Sequence, residues 1–257
     1  KGLPISWERK TYVEGKRDVI YVYDLIDGPI DLKWALDTFL ASDDPITKTD
    51  PRGGGDYKEY LPCKRFKVPV NKDNLVKQGA ITEEQKDLIA DEMIIDLGGK
   101  RYLTKSDLMV LEMIANNNWE RPIYYAVTVG SDMYMGMKKD FQLEGMAYRL
   151  VPFKDTDKET VNTDIMYDNM MNKFKFGGIE NPDIYLDETT LRMCYTHRRM
   201  FSQLVNELVK EGKLDKAKNA LEKAEKCIPA TTVPHTFSSG SVDLANAWIA
   251  VGNKAKA

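Results

Sequence analysis

The stretch "NNNWERPIYYAVTVGSDMYMG" (residues 116–136) decides how the first half of this chain is read. A polar run ends at Trp119, the pair Arg121-Pro122 follows, and "PIYYAVTV" (122–129) is then apolar on both alternating faces. A strand covered on both sides has that pattern. Pro122 suits a first strand position, where its missing N–H costs no ladder bond. Ser131 or Asp132 suits the N-cap of a short helix. "MAYRLVP" (146–152) reads as a second strand. Strand, helix, strand is a crossover, which predicts two parallel strands with 122–129 in the sheet interior.

Toward the N-terminus, "DVIYVYDLI" (18–26) has the same two-sided pattern, and Asp27-Gly28-Pro29 breaks it. A helix is predicted from Ile30 to Ser42, with Leu32, Leu36, Phe39 and Leu40 as its apolar stripe. Residues 43–57 are loop by composition, and Gly53 to Gly55 lack the following GK[ST] of a phosphate loop. "YLPCKRFKVPV" (60–70) reads as an extended edge segment. Thr82 opens a capping box. Gly98-Gly99 between two short apolar runs predicts a hairpin. Thr104 and Asp107 cap a helix over 105–116, with Leu108, Leu111 and Ile114 inward.

From Val161 onward strand signals vanish. Phe201, Leu204, Leu208, Gly212, Ala217, Leu221, Ala224 and Pro229 fall on the large, small and proline positions of a tetratricopeptide helix hairpin. Leu244, Trp248, Gly252 and Ala257 begin the pattern again. Such repeats need neighbours, so they should lean on the α/β body or continue beyond Ala257. The expected fold is therefore an α/β part with a small mixed, partly parallel sheet over 1–160. An all-α, tetratricopeptide-like part follows over 161–257.

A chain of 257 residues, 42% hydrophobic and 30% charged, has the balance of a globular core rather than of a disordered segment. Its net charge of -3 gives no reason to expect nucleic acid or an acidic membrane surface as partner. The apolar runs are too short to span a bilayer, and no stretch of the sequence is expected to act as a signal peptide. Cys63, Cys194 and Cys227 make no CxxC, and His197 and His235 are the two histidines, so no metal site and no cofactor is expected. Candidate ligand residues sit at predicted strand ends: Asp24, Asp27, Arg121, Ser131 and Asp132. No nucleophile–base pair accompanies them, so no catalytic residue is assigned. On the first helix of the hairpin, Arg198, Arg199, Gln203 and Asn206 occupy positions not needed for packing and are candidates for holding an acidic peptide.

"LPISWERKTYVEG", "RDVIYVYDLIDGPIDLKWAL", "GGKRYLTKSDLMVLEMIANNNWERPIYYAVTVGSD", "FQLEGMAYRLVP" and "VNTDIMYDNMMNKFKFGG" resemble the C-terminal part of a Bacteroidetes family of large multi-spanning membrane proteins of unknown function. That family is similar to lipid-linked-sugar glycosyltransferases of the protein O-mannosyltransferase kind. The resemblance implies a periplasmic domain of a membrane protein, attached to the membrane through a parent region, with a tetratricopeptide tail. It implies that any catalytic acid belongs to the membrane part. Two functions follow as expectations. One is a non-catalytic accessory domain that binds a protein or peptide through its helical repeats. The other is an α/β domain that binds a sugar or sugar phosphate at its strand ends.

Overall fold

In the computed structural model, which describes residues 18–257, the first strand is covered on one side. β1 (Val19–Val22) buries Ile20 and Val22 and leaves Val19 and Tyr21 exposed. The two-sided reading of 18–26 is corrected accordingly. A tyrosine keeps its hydroxyl in water, so an aromatic on the outer face does not imply a second covering layer.

Contacts divide the chain into two compact units. The first runs up to Tyr124 and takes in 128–141 and 150–159; the second holds 125–127, 142–149 and 160–257. In the first unit β2 (Ile30–Asp31) leads into α1 (Leu32–Trp34), continued by a π-helical turn over Ala35–Leu40. Asp31 caps it, its Oδ1 accepting from the Trp34 N–H at 2.8 Å. Leu32, Leu36 and Leu40 recur every fourth residue and are all buried. β3 (Tyr60–Leu61), β4 (Arg65–Pro69), α2 (Lys72–Lys77), β5 (Glu92–Asp96), β6 (Tyr102–Thr104) and α3 (Lys105–Asn116) follow.

Two three-stranded sheets result, ordered β3-β1-β6 and β2-β4-β5. Each holds one parallel pair, β1 with β3 and β2 with β4, and one antiparallel pair. The Gly98-Gly99 hairpin is therefore a correction: β5 and β6 flank the turn but pair with other strands. Ile95 stands opposite Phe66 and Leu103 opposite Ile20, so the apolar partners lie in different sheets. The tight turn survives, with Lys100 N–H donating to the Leu97 carbonyl at 3.0 Å.

The α3 start is as the sequence predicts. Thr104 N–H donates to Asp107 Oδ2 at 3.0 Å, and Asp107 N–H donates to Thr104 Oγ1 at 3.3 Å. After α3 the chain takes two left-handed residues, Asn118 (φ 45°) and Trp119 (φ 57°). Side chains hold this strained pair: Asn74 Nδ2 and Gln78 Nε2 donate to their carbonyls at 2.8 Å, and Trp119 Nε1 donates to the Pro69 carbonyl at 2.8 Å.

The interior parallel strand at 122–129 is not formed. β7 (Tyr124–Ala126), β8 (Phe141–Leu143), β9 (Ala147–Leu150) and β10 (Thr160–Val161) make a sheet ordered β10-β8-β9-β7, which leaves β7 at an edge. Val127 N–H donates to the Met146 carbonyl and Leu150 N–H to the Ile123 carbonyl, so β7 and β9 run antiparallel. Residues between β7 and β8 make two 3-10 turns, Ser131–Tyr134 and Met137–Asp140, instead of a crossover helix. Gly130, not Ser131 or Asp132, takes the capping position. The reason lies at Gly136 (φ 77°), where a Cβ would collide with the Asp96 carbonyl at the end of β5. The link is pressed against that strand end, and a regular helix has no room there.

In the second unit α4 (Thr163–Asp168), α5 (Glu188–Lys210), α6 (Leu214–Cys227) and α7 (Ser241–Ala250) form a helical run. Gly212 (φ 73°) sits in the short turn between α5 and α6. Phe201, Leu204, Leu208, Ala217, Leu221 and Ala224 share one buried cluster with Leu244 and Trp248 of α7. Small alanines let the helices approach closely, so Ala217→Leu should overpack the contact and cost about 1–3 kcal/mol. Thermal unfolding checks this, and an unchanged Tm would contradict it. In the first unit Asp140 is buried, and burial pushes its carboxyl up to about 6 from 3.8, partly opposed by Lys139. A raised acid stabilises the fold below its ordinary pKa, and that stability is lost as pH rises through the raised value. Asp140→Asn mimics the neutral acid, so it should gain on wild type by about 1–3 kcal/mol between pH 4 and 7. Urea unfolding at each pH reads this, and a pH-independent difference would contradict it.

Candidate functional site

The parallel pairing of β1 with β3 sets the site. Parallel neighbours need a crossover, and here residues 23–59 supply it, returning over the carboxyl end of β1. A cleft of about 500 Å³ opens there, lined by Tyr21, Tyr23, Asp24, Arg52, Lys58, Lys64 and Arg101. Four cations and one carboxylate face it, although the whole chain carries a net charge of -3.

Asp50 organises these groups from below. It is 8% exposed. Its Oδ1 accepts from Tyr23 Oη at 3.1 Å and from the Arg52 N–H at 3.0 Å, and its Oδ2 meets Lys58 Nζ at 2.5 Å. The Lys58 bond, then the Arg52 backbone bond, hold the Asp50 carboxyl below the usual carboxylate range. The same pair raises the Lys58 ammonium, which therefore stays charged. Burial, then the Asp50 bond, push the Tyr23 phenol up, so it stays a neutral donor. The Arg52 guanidinium lies over the Tyr23 ring at 4.7 Å and Lys58 Nζ over the Tyr21 ring at 5.2 Å. Arg52, Lys64 and Arg101 form no ion pair among the described residues. Cations so placed suit an anion with several acceptor oxygens.

Of the residues expected from the sequence, Asp24 lines this cleft. Asp27 is fully exposed and meets Arg65 Nη2 at 3.6 Å. Arg121, Ser131 and Asp132 are exposed elsewhere and do not join it. The cations have no sequence signature: Arg52 and Lys58 come from the crossover loop, Lys64 from the link between β3 and β4 and Arg101 from the turn before β6, and no local motif joins them. Among the described residues no three of His, Cys, Asp and Glu gather to hold a metal.

The helical candidates separate as well. Arg198 is fully buried, not on a free face as its position on α5 suggested. Its Nη2 donates to the Ile228 carbonyl at 3.0 Å and also to the Val233 carbonyl. Burial lowers its guanidinium below the usual arginine range. The segment after α6 covers this side of α5, which a single-hairpin template does not anticipate. Arg199 and Asn206 remain exposed and Gln203 is half-buried; Arg199 Nη2 donates to the Ser238 carbonyl at 3.3 Å. His197 packs edge-on between Phe174 and Phe176, where burial lowers its imidazole pKa.

The architecture so far is that of a mixed α/β domain with a basic strand-end cleft, followed by packed helices. A family model, TMEM260-associated domain 2, matches residues 1–168, and the chain belongs to that family. The family name ties the domain to a membrane protein, and no helix among the described residues is long and apolar enough to cross a membrane. No curated protein and no solved structure matches the chain.

Asp50→Asn should lower the Tm at pH 7, because it removes a charge that the Lys58 ammonium and the Arg52 N–H bond. Asp50 has a depressed pKa, so its contribution is present above its ordinary value of 3.8 and is lost as pH falls below it. The Tm gap between wild type and variant should close in that acid range. A gap that is absent at pH 7, or constant with pH, would contradict the assignment.

Proposed function

We propose that this chain is an accessory ligand-recognition domain of a TMEM260-like membrane protein, and that its strand-end cleft takes a phosphorylated sugar. The observation that carries the reading is the convergence of Arg52, Lys64 and Arg101, without ion-pair partners among the described residues, on a cleft walled by Tyr21 and Tyr23. The cations match phosphate oxygens, Asp24 can accept from sugar hydroxyls, and the part-exposed Tyr21 ring adds apolar surface beside them. The resemblance to lipid-linked-sugar glycosyltransferases supports a sugar as the organic part and a periplasmic setting. The domain acts here by binding; catalysis belongs to the membrane part of the parent protein.

A peptide-binding role for the tail is the second reading. Its spacing is tetratricopeptide-like, and Arg199 lines an open groove of about 570 Å³ on α5 with Arg192 and Tyr195. The burial of Arg198 removes half of the cationic pair on which that groove depended. The strand-end cleft is therefore the stronger site.

Calorimetric titration with glucose 1-phosphate tests it. Binding is expected, and Lys64→Ala or Arg101→Ala should each weaken it about tenfold or more, the worth of one charge-assisted hydrogen bond. No binding, or binding indifferent to both changes, would overturn the reading.

A further inference from the structure

The outer face of the β3-β1-β6 sheet next to the cleft is unusually rich in exposed apolar and aromatic groups. Tyr21 of β1 stands directly opposite Tyr102 of β6, so both project from the same face. Tyr21 is 39% and Tyr102 55% exposed. Just beyond β1, next to Asp24 at the cleft, Leu25 is 53% exposed. Lys64 follows the segment that holds this turn, since Leu25 N–H donates to the Pro62 carbonyl at 2.9 Å. Arg101 adjoins Tyr102 and accepts the Val22 N–H through its carbonyl at 2.9 Å. Tyr21 thus shares the cleft with Lys64 and Arg101, which have no ion-pair partner among the described residues, and Tyr102 and Leu25 are exposed beside it.

That combination has a specific chemical complement. Tyrosine prefers the boundary between hydrocarbon and water, cations meet lipid phosphates, and a single leucine reaches the first acyl carbons. A protein partner would bury a continuous apolar centre with few charges, whereas here the cations lie among the apolar groups. We infer that this face docks on an anionic phospholipid surface, with Tyr21, Tyr102 and Leu25 at headgroup depth and Lys64 and Arg101 on lipid phosphates. The inference rests on the anion-binding reading of the cleft and adds the source of the phosphate: it is presented from the bilayer. The net charge of -3 does not oppose this, because the field near the surface is set by the cations at the rim.

Sedimentation of the chain with phosphatidylglycerol-containing vesicles and with pure phosphatidylcholine vesicles tests it. Binding to the anionic vesicles alone is expected. Lys64→Glu/Arg101→Glu should weaken it about thirtyfold or more, at about 1 kcal/mol per cation near the surface. Leu25→Ser/Tyr102→Ser, surface changes whose folding is confirmed by an unchanged Tm, should also weaken it. Anionic-vesicle binding unaffected by Leu25→Ser/Tyr102→Ser would mean simple electrostatic adsorption and would overturn the docking face. Glucose 1-phosphate binding without any vesicle binding would overturn the inference and leave the cleft reading standing. Absence of both would remove the two together.

Discussion

Two parallel strands cannot be joined by a tight turn, and this constraint shapes the candidate site. β1 and β3 lie side by side and point the same way, so the chain must leave the end of β1 and come back before β3 begins. The returning segment spends its length on a leucine-faced helical turn that covers the sheet and on a loop that hangs over the strand end. That loop brings Asp50, Arg52 and Lys58 to Tyr21 and Tyr23. Without parallel pairing these five residues would not meet.

Electrostatics then divides the cleft into a fixed and a free part. Asp50 is consumed internally: its two oxygens bind Tyr23, Lys58 and the loop backbone. This fixes the positions of the aromatic wall and of one cation. Arg52, Lys64 and Arg101 line the cleft without an ion-pair partner among the described residues. A buried carboxylate satisfied by three donors can hold a cationic rim in place with little net cost, because its own desolvation is repaid in hydrogen bonds. A rim fixed in place before any ligand arrives carries a lower ordering cost on binding.

What could be read from the sequence was local. The α3 start at Thr104 and Asp107 involves residues three apart, and the α5–α6 pair repeats its apolar positions at helical spacing around Gly212. Mixed sheets followed by helices were legible for the same reason. Strand pairing was not, because it joins distant segments: the apolar run at 122–129 does not reveal that its partner is antiparallel β9 at a sheet edge. Gly136 had a decisive role against the Asp96 carbonyl, yet as a letter it is one glycine among many. Asp24, two residues beyond β1, lines the cleft and was visible as a strand-end carboxylate. The cations around it were not, since three separate segments contribute them. Arg198 was misplaced because a helix face looks free until the loop that covers it is known.

Recognition of phosphate on an organic ring by Arg52, Lys64 and Arg101 is tested by an NMR titration with glucose 1-phosphate that follows the side-chain nitrogens of those three residues and the ring protons of Tyr21. All four should respond together and saturate at one ligand concentration, while the side chains of Arg199 and Arg192 on α5 stay still. Shifts confined to α5, or no saturable shift at the cleft, would contradict it.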